Sequence, residues 1–281
     1  MSNGKVKKWR KVLYDNADYP DNYTPDECFL AARRFNQNLV TYSLGQCVGG
    51  GAEVAIHLSL VIIFWCCYNF IKAGVLPPAP ATAAVMGTSV AAYLLLLLAS
   101  SSSLGEDILQ GAKACTLFTV TGYAVSPVLY TLTDTISTDS IHLMAAASLL
   151  LHLVTADYGV AAPVVSWQIS LNAAVFGSVC LASRFPDHMS AFCLLTVSVF
   201  CFLLVPLCRS WCRPLASSLP WSLVTSLASL LLLAAVSLTH TYLAALSLFT
   251  VQVLCPVIFY RLQSDKLTIH GPWDEATPGS S

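Results

Sequence analysis

Charged side chains are scarce in this sequence, and the scarcity argues against catalysis. Only 10% of the 281 residues are charged, whereas 56% are hydrophobic. Paired carboxylates that share acid–base work must lie close together. Glutamate occurs at four widely separated positions, which are Glu27, Glu53, Glu106 and Glu275. The sequence therefore offers no glutamate pair for such chemistry.

The motifs of nucleotide-sugar and hydrolytic chemistry are also missing. There is no DxD pair to hold a metal for a sugar nucleotide, no Gly-rich phosphate loop, no nucleophile elbow and no HExxH pair. The eleven cysteines include no CxxC pair, and seven of them lie within apolar runs, where free cysteine behaves as a small apolar residue. We therefore predict no cofactor, no metal site and no catalysis by this chain alone.

Long apolar runs are what the sequence contains instead. A helix needs about 20 apolar residues to cross the hydrocarbon core, and it satisfies its own backbone hydrogen bonds there. Stretches such as "AAYLLLLLA" are apolar on every side, unlike the one-sided pattern of a soluble helix. The fold class predicted is all-α, a polytopic transmembrane helical bundle. About eight spans are expected, near residues 54–76, 81–101, 114–132, 140–156, 160–182, 190–208, 219–238 and 241–260.

The basic residues indicate how such a bundle is oriented. Seven of the fourteen precede the first run, and with both termini inside the cytosol the inner segments hold twelve of them. The outer loops keep Lys72 and Arg184. Because cytoplasmic loops are enriched in lysine and arginine, we predict that both termini are cytosolic. The domains expected are a cytosolic arm over 1–53, a transmembrane domain over 54–260 and a cytosolic tail over 261–281.

A short amphipathic helix is predicted within the N-terminal arm. Thr24 can cap it, Pro25 suits its first turn, and Glu27 completes a capping box. Apolar residues then recur at helical spacing up to Tyr42. This helix would lie in the lipid headgroup layer or pack on another protein, and the sequence does not separate these alternatives.

Asp134 and Asp139 form a polar interruption between the third and fourth runs. Asp139 is a candidate N-cap for the following helix. Alternatively, these carboxylates contact a lipid headgroup or another protein of an assembly. The charge count places both on the lumenal side of the membrane, where they would be structural. Alternatively, the region of Pro127 re-enters the membrane and the topology is not a simple zigzag.

Four further polar side chains lie in or beside apolar runs. His152 needs a hydrogen-bond partner at its depth, and Asp157 is expected at the cytosolic boundary. Gln168 and Asn172 are one helical turn apart and project from one face. They suit interhelical packing or, alternatively, contact with a lipid headgroup.

Several strings together resemble one known family. They are "KVLY", "YPDNYTPDECFL", "SPVLYTLTDTISTDSIHLMA", "HLVTADYG", "SLNAAVFGSVCLASRFP" and "IHGPWDEA", in matching order over nearly the whole chain. This pattern resembles the class C (PIG-C type) subunits of the phosphatidylinositol N-acetylglucosaminyltransferase complex. The resemblance implies an endoplasmic reticulum membrane complex that transfers N-acetylglucosamine from UDP-GlcNAc to phosphatidylinositol, the first step of GPI-anchor biosynthesis. It also implies a catalytic class A glycosyltransferase subunit and class H, P, Q and Y subunits as partners, with no catalytic residue on this chain.

Two functions from different classes remain open at this point. The first is a non-catalytic subunit that assembles the complex and positions the lipid. The alternative is a lipid transporter or scramblase, which polar residues inside the membrane would suit. Trp273, beside two acids in the C-terminal tail, is a further candidate for contact with another protein of the complex.

Overall fold

Helices make up most of the structure, a computed structural model that describes residues 19–20, 23, 33–36, 39–99, 104–133, 135–159, 165–212 and 217–270. Two of the longer helical segments contain a π-helical stretch, at Phe200–Leu204 and at Thr250–Leu254. A 3₁₀ turn covers Gln263–Asp265, and two short strands are β1 (Arg34–Phe35) and β2 (Ile269–His270). The α-helices are α1 (Leu44–Lys72), α2 (Pro78–Ala99), α3 (Leu104–Thr133), α4 (Thr138–Thr155), α5 (Trp167–Ala182), α6 (His188–Val199), α7 (Val205–Cys212), α8 (Ser218–Val236), α9 (Leu238–Phe249) and α10 (Cys255–Leu262).

Six helical segments in the described ranges are long and apolar enough to cross a membrane. They are Leu44–Lys72, Pro78–Leu95, Thr138–Thr155, His188–Cys212, Ser218–Val236 and Leu238–Asp265. The other two of the eight predicted spans coincide with α3 and α5. These helices differ from the six in charge or in length. Helix α3 has 30 residues and includes Glu106, Asp107 and Lys113, whereas α5 has 16 residues. The all-helical fold with apolar helices of membrane-spanning length is confirmed, and the count of eight spans stays a prediction.

The first helix begins well before the predicted start of the first span at residue 54. Ser43 is its N-cap and accepts a hydrogen bond from the backbone amide of Gln46, whose side chain accepts one from the Ser43 amide. This reciprocal capping satisfies two amides that a helix otherwise leaves open. The polar first turns therefore belong to α1, and Glu53 lies inside a helix.

Residues 43–259 form one compact unit, whose helices run between two ends. At the first, here named the proximal end, Glu53 of α1 meets Arg209 of α7 at 2.7 Å. At the other, the distal end, the Tyr68 hydroxyl of α1 lies 3.2 Å from Nε2 of His142 in α4, and its ring lies 5.4 Å from that of Phe185. Helices α1 and α4 are therefore antiparallel, as the first and the fourth of the predicted spans should be.

Small residues let the helices of this unit approach closely. The carbonyl oxygen of Ala145 lies 3.2 Å from where a β-carbon on Gly177 would stand, so a larger residue there would push α4 and α5 apart by a few tenths of an ångström. The hydroxyls of Ser178 and Ser198 hydrogen bond at 2.6 Å and connect α5 to α6. Close backbone approach and interhelical hydrogen bonds are the usual sources of helix association in lipid.

A second compact unit contains the chain up to Tyr42 and from Tyr260 onward. Within it β1 pairs antiparallel with β2, with Arg34 opposite His270 and Phe35 opposite Ile269. The predicted amphipathic helix is wrong here, because this backbone bonds to the C-terminal segment instead. Asn36 has a φ of 55°, a left-handed conformation that also interrupts a helix. The proposed start of that helix, residues 24–32, lies outside the described residues.

Strand pairing has a consequence for the number of membrane crossings. Asn36 and Thr268 exchange two further hydrogen bonds, of 2.8 and 2.9 Å, so the pairing extends beyond the strands themselves. Two segments that pair in this way are expected on the same side of a membrane. If both termini are cytosolic, as predicted, the chain between these segments crosses the membrane an even number of times.

Candidate functional site

A buried ion pair is the main polar feature of the proximal end. Arg209 donates from Nη2 to Oε1 of Glu53 at 2.7 Å and to the hydroxyl of Ser218 at 3.1 Å, while Ser218 donates to the same glutamate oxygen at 2.9 Å. The two charged side chains are 4% and 7% exposed. Charges this buried persist when they are paired and hydrogen-bonded. Three helices, α1, α7 and α8, meet at this group.

A pocket of about 210 Å³ opens beside the ion pair. Its wall combines a guanidinium, a carboxylate, an imidazole, a hydroxyl and an indole with aliphatic side chains. The lining residues are Ile56, His57, Asp157, Trp167, Pro206, Leu207, Arg209 and Ser210. Such a wall offers both donors and acceptors of hydrogen bonds.

The turn after α4 presents Asp157 to this pocket. Its Oδ1 accepts a hydrogen bond from the amide of Gly159 at 2.7 Å, and Gly159 has a φ of 82° that suits glycine. Asp157 is exposed. The turn therefore holds an accessible carboxyl group at the pocket wall.

Two histidines and a tyrosine pack behind that turn. The rings of His57 and His152 are 5.9 Å apart, and the ring of Tyr158 meets His57 edge-on at 5.1 Å. His152 Nδ1 lies 2.8 Å from the Ser170 hydroxyl and 3.1 Å from the Ser170 carbonyl oxygen, which ties α4 to α5. Burial raises the pKa of Tyr158 to about 12, and its hydroxyl donates to the carbonyl of Leu153 at 2.5 Å. Of these groups His57 lines the pocket, and the others pack against it or beside it.

The π-helical segment Phe200–Leu204 precedes the part of the helix that carries Arg209. Phe202 in this segment packs against Phe64 at 5.2 Å and against His152 at 4.9 Å, so the widened turn is held by α1 and α4. A π-helical turn holds more residues than an α-helical one and rotates the faces that follow it. The orientation of Arg209 thus depends on a local irregularity that packing stabilises.

The predicted site residues do not all come together. Asp157 lines the pocket, and His152 makes the interhelical hydrogen bonds that its packing interpretation expected. Gln168 and Asn172 are exposed on α5. Their contact with lipid or with a partner remains a prediction.

Asp139 lies at the distal end, in the first turn of α4 and away from the pocket. Asp139 was a candidate N-cap, and this assignment is wrong: the helix begins at Thr138, and Ser137 is the cap that accepts the Ser140 amide at 3.3 Å. Asp139 is instead an exposed residue of the first turn. Asp134 and Trp273 lie outside the described residues.

Sequence reasoning missed Glu53, His57 and Arg209. Glu53 and His57 are four residues apart, so they share one face of α1, and each is at most 7% exposed. A usable signal did exist, because ionisable residues inside or beside apolar runs are seldom idle. The predicted first span begins at residue 54, so Glu53 was not recognised as an ionisable residue within a membrane helix. Among the described residues no three histidine, cysteine, aspartate or glutamate side chains converge as metal ligands would.

Comparisons with known proteins concern almost the whole chain. A profile of the phosphatidylinositol N-acetylglucosaminyltransferase (GPI2) family matches residues 9–274. The human C subunit of phosphatidylinositol N-acetylglucosaminyltransferase is 35% identical, over 98% of this chain and 95% of the human one. The Schizosaccharomyces pombe GPI2 subunit of that transferase is 31% identical, over 97% of this chain and 87% of its own.

A more distant organism gives the same result. The putative C subunit of Dictyostelium discoideum is 32% identical, over 96% of this chain and 79% of its own. No solved structure matches the chain. These findings confirm the resemblance inferred from the sequence strings. The chain belongs to the PIG-C/GPI2 family, the C subunits of phosphatidylinositol N-acetylglucosaminyltransferase.

Proposed function

We propose that this chain is a non-catalytic membrane subunit of a complex that transfers N-acetylglucosamine from UDP-GlcNAc to phosphatidylinositol, the first step of GPI-anchor biosynthesis. The observation that carries the proposal is the match along 98% of this chain and 95% of a relative named as the C subunit of that transferase. A match over almost the full length of both chains supports a shared role, whereas a match over one segment would support only a shared part of the fold. The membrane would be that of the endoplasmic reticulum, with both termini in the cytosol.

The size of the proximal pocket supports a role other than donor binding. Ligand pockets for drug-sized molecules are about 300–1,000 Å³. At about 210 Å³ the pocket beside Arg209 is smaller than that range. It suits one ring of a lipid headgroup better than a whole nucleotide sugar. Catalysis would then belong to a class A glycosyltransferase subunit, with class H, P, Q and Y subunits as further partners.

The chemistry of the pocket wall fits the inositol phosphate headgroup. Hydroxyls of the ring would donate to Asp157 and accept from Arg209, while the indole of Trp167 offers an apolar surface to the ring carbons. A guanidinium also suits the phosphate that joins the ring to the lipid. Since α1 begins at the proximal end, cytosolic termini would place this pocket on the cytosolic side. We therefore propose that the chain positions phosphatidylinositol for the transfer.

Two substitutions in the pocket test the positioning role. Asp157→Asn removes the charge yet keeps an oxygen for the Gly159 amide, and Trp167→Ala removes the indole. In cells that lack their own C subunit, each variant should lower the synthesis of N-acetylglucosaminyl phosphatidylinositol about tenfold, which corresponds to about 1.4 kcal/mol. Recovery of the glycosyltransferase subunit with the variant should equal that of the unsubstituted chain.

A matched control is available on a neighbouring helix. Trp221, in the first turn of α8, is 40% exposed, close to the 38% of Trp167, but it does not line the pocket. Trp221→Ala should leave synthesis unchanged. Equal activity of the Trp167 and Trp221 variants would contradict lipid positioning. Turnover of UDP-GlcNAc and phosphatidylinositol by the purified chain alone would contradict the non-catalytic role, and lipid flipping by it alone would favour the transporter alternative.

A further inference from the structure

An apolar groove, separate from the proximal pocket, runs along the outside of α4. Helix α1 forms one part of its wall, and α8 and α9 close its other side. Its volume is about 570 Å³. Residues that line it include Val61, Trp65, His142, Leu149, Leu233 and His240. We name this feature the α4 groove.

The dimensions of the α4 groove limit what can occupy it. Its lining extends along α4 from His142 to Leu153, which is about 16 Å at about 1.5 Å per residue. This length is about half of the hydrocarbon core of a bilayer, which is about 30 Å thick. It therefore matches the depth of one leaflet, which is the depth that the acyl chain of a lipid occupies.

Polar groups are confined to the distal end of the groove. His142, near the start of α4, lies 3.2 Å from the Tyr68 hydroxyl, and His240 lies in the first turn of α9. The ammonium of Lys72 is 5.6 Å from the centre of the Tyr68 ring. An apolar groove with two histidines in its wall at one end, and with a tyrosine and a lysine next to one of them, matches an acyl chain that ends in a phosphate headgroup.

We propose that the α4 groove binds a glycerophospholipid, with one acyl chain along α4 and the phosphate beside His142 and Lys72. This lipid lies in the leaflet at the distal end. The proximal pocket faces the other leaflet, so the two sites hold different lipid molecules. The proposal does not rest on the function proposed for the pocket. The role of this lipid is to fill a surface that α1, α4, α8 and α9 leave open.

Two adjacent alanines of α4 allow a matched test. Ala146 and Ala147 are both exposed, but only Ala146 lines the groove. The full complex is reconstituted in vesicles that contain phosphatidylcholine with a photoactivatable diazirine in one acyl chain. After illumination, labelled peptides of α1 and α4 are quantified by mass spectrometry. With Ala146→Phe we expect about fivefold less labelling, the result of losing about 1 kcal/mol of binding.

The controls separate a lipid from other occupants. Ala147→Phe should label like the unsubstituted chain, and His142→Gln should reduce labelling without filling the groove. If Ala146→Phe prevents assembly, Ala146→Leu narrows the same position with a smaller side chain. Equal labelling of the position 146 and 147 variants would overturn the proposal. So would a disulfide between Ala146→Cys and a membrane helix of another protein in the complex, because a protein would then occupy the groove.

Discussion

Arg209 and Glu53 show how a single residue pair can join helices that are far apart in sequence. The pair is separated by 156 positions and is almost fully buried. Removing charges from water is costly, so a buried pair contributes little net stability compared with apolar residues of the same size. Leaving one of the two charges buried without its partner destabilises the protein much more. The pair therefore fixes which faces of α1 and α7 meet.

Substitution of one partner should destabilise the protein strongly. Arg209→Met leaves the Glu53 carboxylate buried without its cation, and we expect a loss of about 3–5 kcal/mol in the free energy of unfolding. The double variant Glu53→Gln with Arg209→Met should recover part of that loss. Thermal unfolding in detergent measures both. Lys113→Met, at an exposed position of α3, is the control and should change little. A double variant no more stable than Arg209→Met would contradict the pairing.

Tyr158 should make stability depend on pH in the alkaline range. Burial raises its pKa from 10.0 to about 12, so the folded protein favours the neutral phenol. The stability that this preference contributes is present below pH 10 and is lost as the pH rises toward 12. Between these values the unsubstituted chain should lose more stability than Tyr158→Phe, which has no hydroxyl to ionise. Unfolding temperatures compared at several pH values test this, and parallel curves for both proteins would refute it.

Part of the site could be predicted at this scale. Asp157 and His152 were identifiable because polar groups in an apolar segment need a reason to be there. Arg209 was counted only as a basic loop residue, since the sequence does not show that a π-helical segment precedes it. Its partner Glu53 was placed in the cytosolic arm. Predicting the two charged residues of this ion pair would thus have required knowledge of the π-helical segment and of the residue at which α1 begins.

At the scale of elements, close contact between α1 and the last membrane helix depends on one glycine. A β-carbon at Gly51 would lie 2.6 Å from the carbonyl oxygen of Val251 and 2.8 Å from Cγ of Pro256. The carbonyl belongs to the backbone of the second π-helical segment and cannot turn away as a side chain would. Nearby, Gln252 in that segment donates to Ser226 of α8 at 2.6 Å, and Ser226 lies 3.3 Å from the hydroxyl of Ser59.

Gly51→Ala should therefore separate α1 from this segment. We expect a loss of about 1–3 kcal/mol in the free energy of unfolding, as for other overpacked sites. The adjacent Gly50 has nothing within 4 Å of its β-carbon position. Gly50→Ala should be neutral or should stabilise the helix by up to about 1 kcal/mol. Equal effects of the two alanines on the unfolding midpoint would show that the contact is not tight.

The approximate positions of the helices could be predicted from the apolar runs in the sequence. Each of the eight predicted runs overlaps a helix, because lipid leaves backbone groups few alternatives. Helix starts were less predictable. The N-cap of α4 is Ser137 rather than Asp139, and that of α1 is Ser43. Serine and aspartate are similarly good caps, so composition alone does not choose between neighbouring candidates.

At the scale of the whole molecule, the pairing of β1 with β2 leads us to expect both terminal segments on one side of the membrane. A tag at either end should therefore be accessible from the same compartment, which the basic residues predict to be the cytosol. A glycosylation acceptor on a flexible linker inserted after Gly74 should be modified, because this exposed turn follows α1 at the distal end. The same insertion after Gly159, at the proximal end, should not be modified. Modification at both positions would contradict this arrangement.

The order of synthesis gives the Glu53–Arg209 pair a further consequence. A ribosome that adds about 5–20 residues per second needs roughly 8–30 s to make the 156 residues between them. Throughout that interval α1 carries an acidic group whose counter-ion has not been translated. A nascent α1 must therefore keep this carboxyl group protonated, hydrated or shielded by the insertion machinery until the seventh α-helix arrives. Premature termination before Arg209 should leave fragments that cellular quality control recognises and degrades quickly.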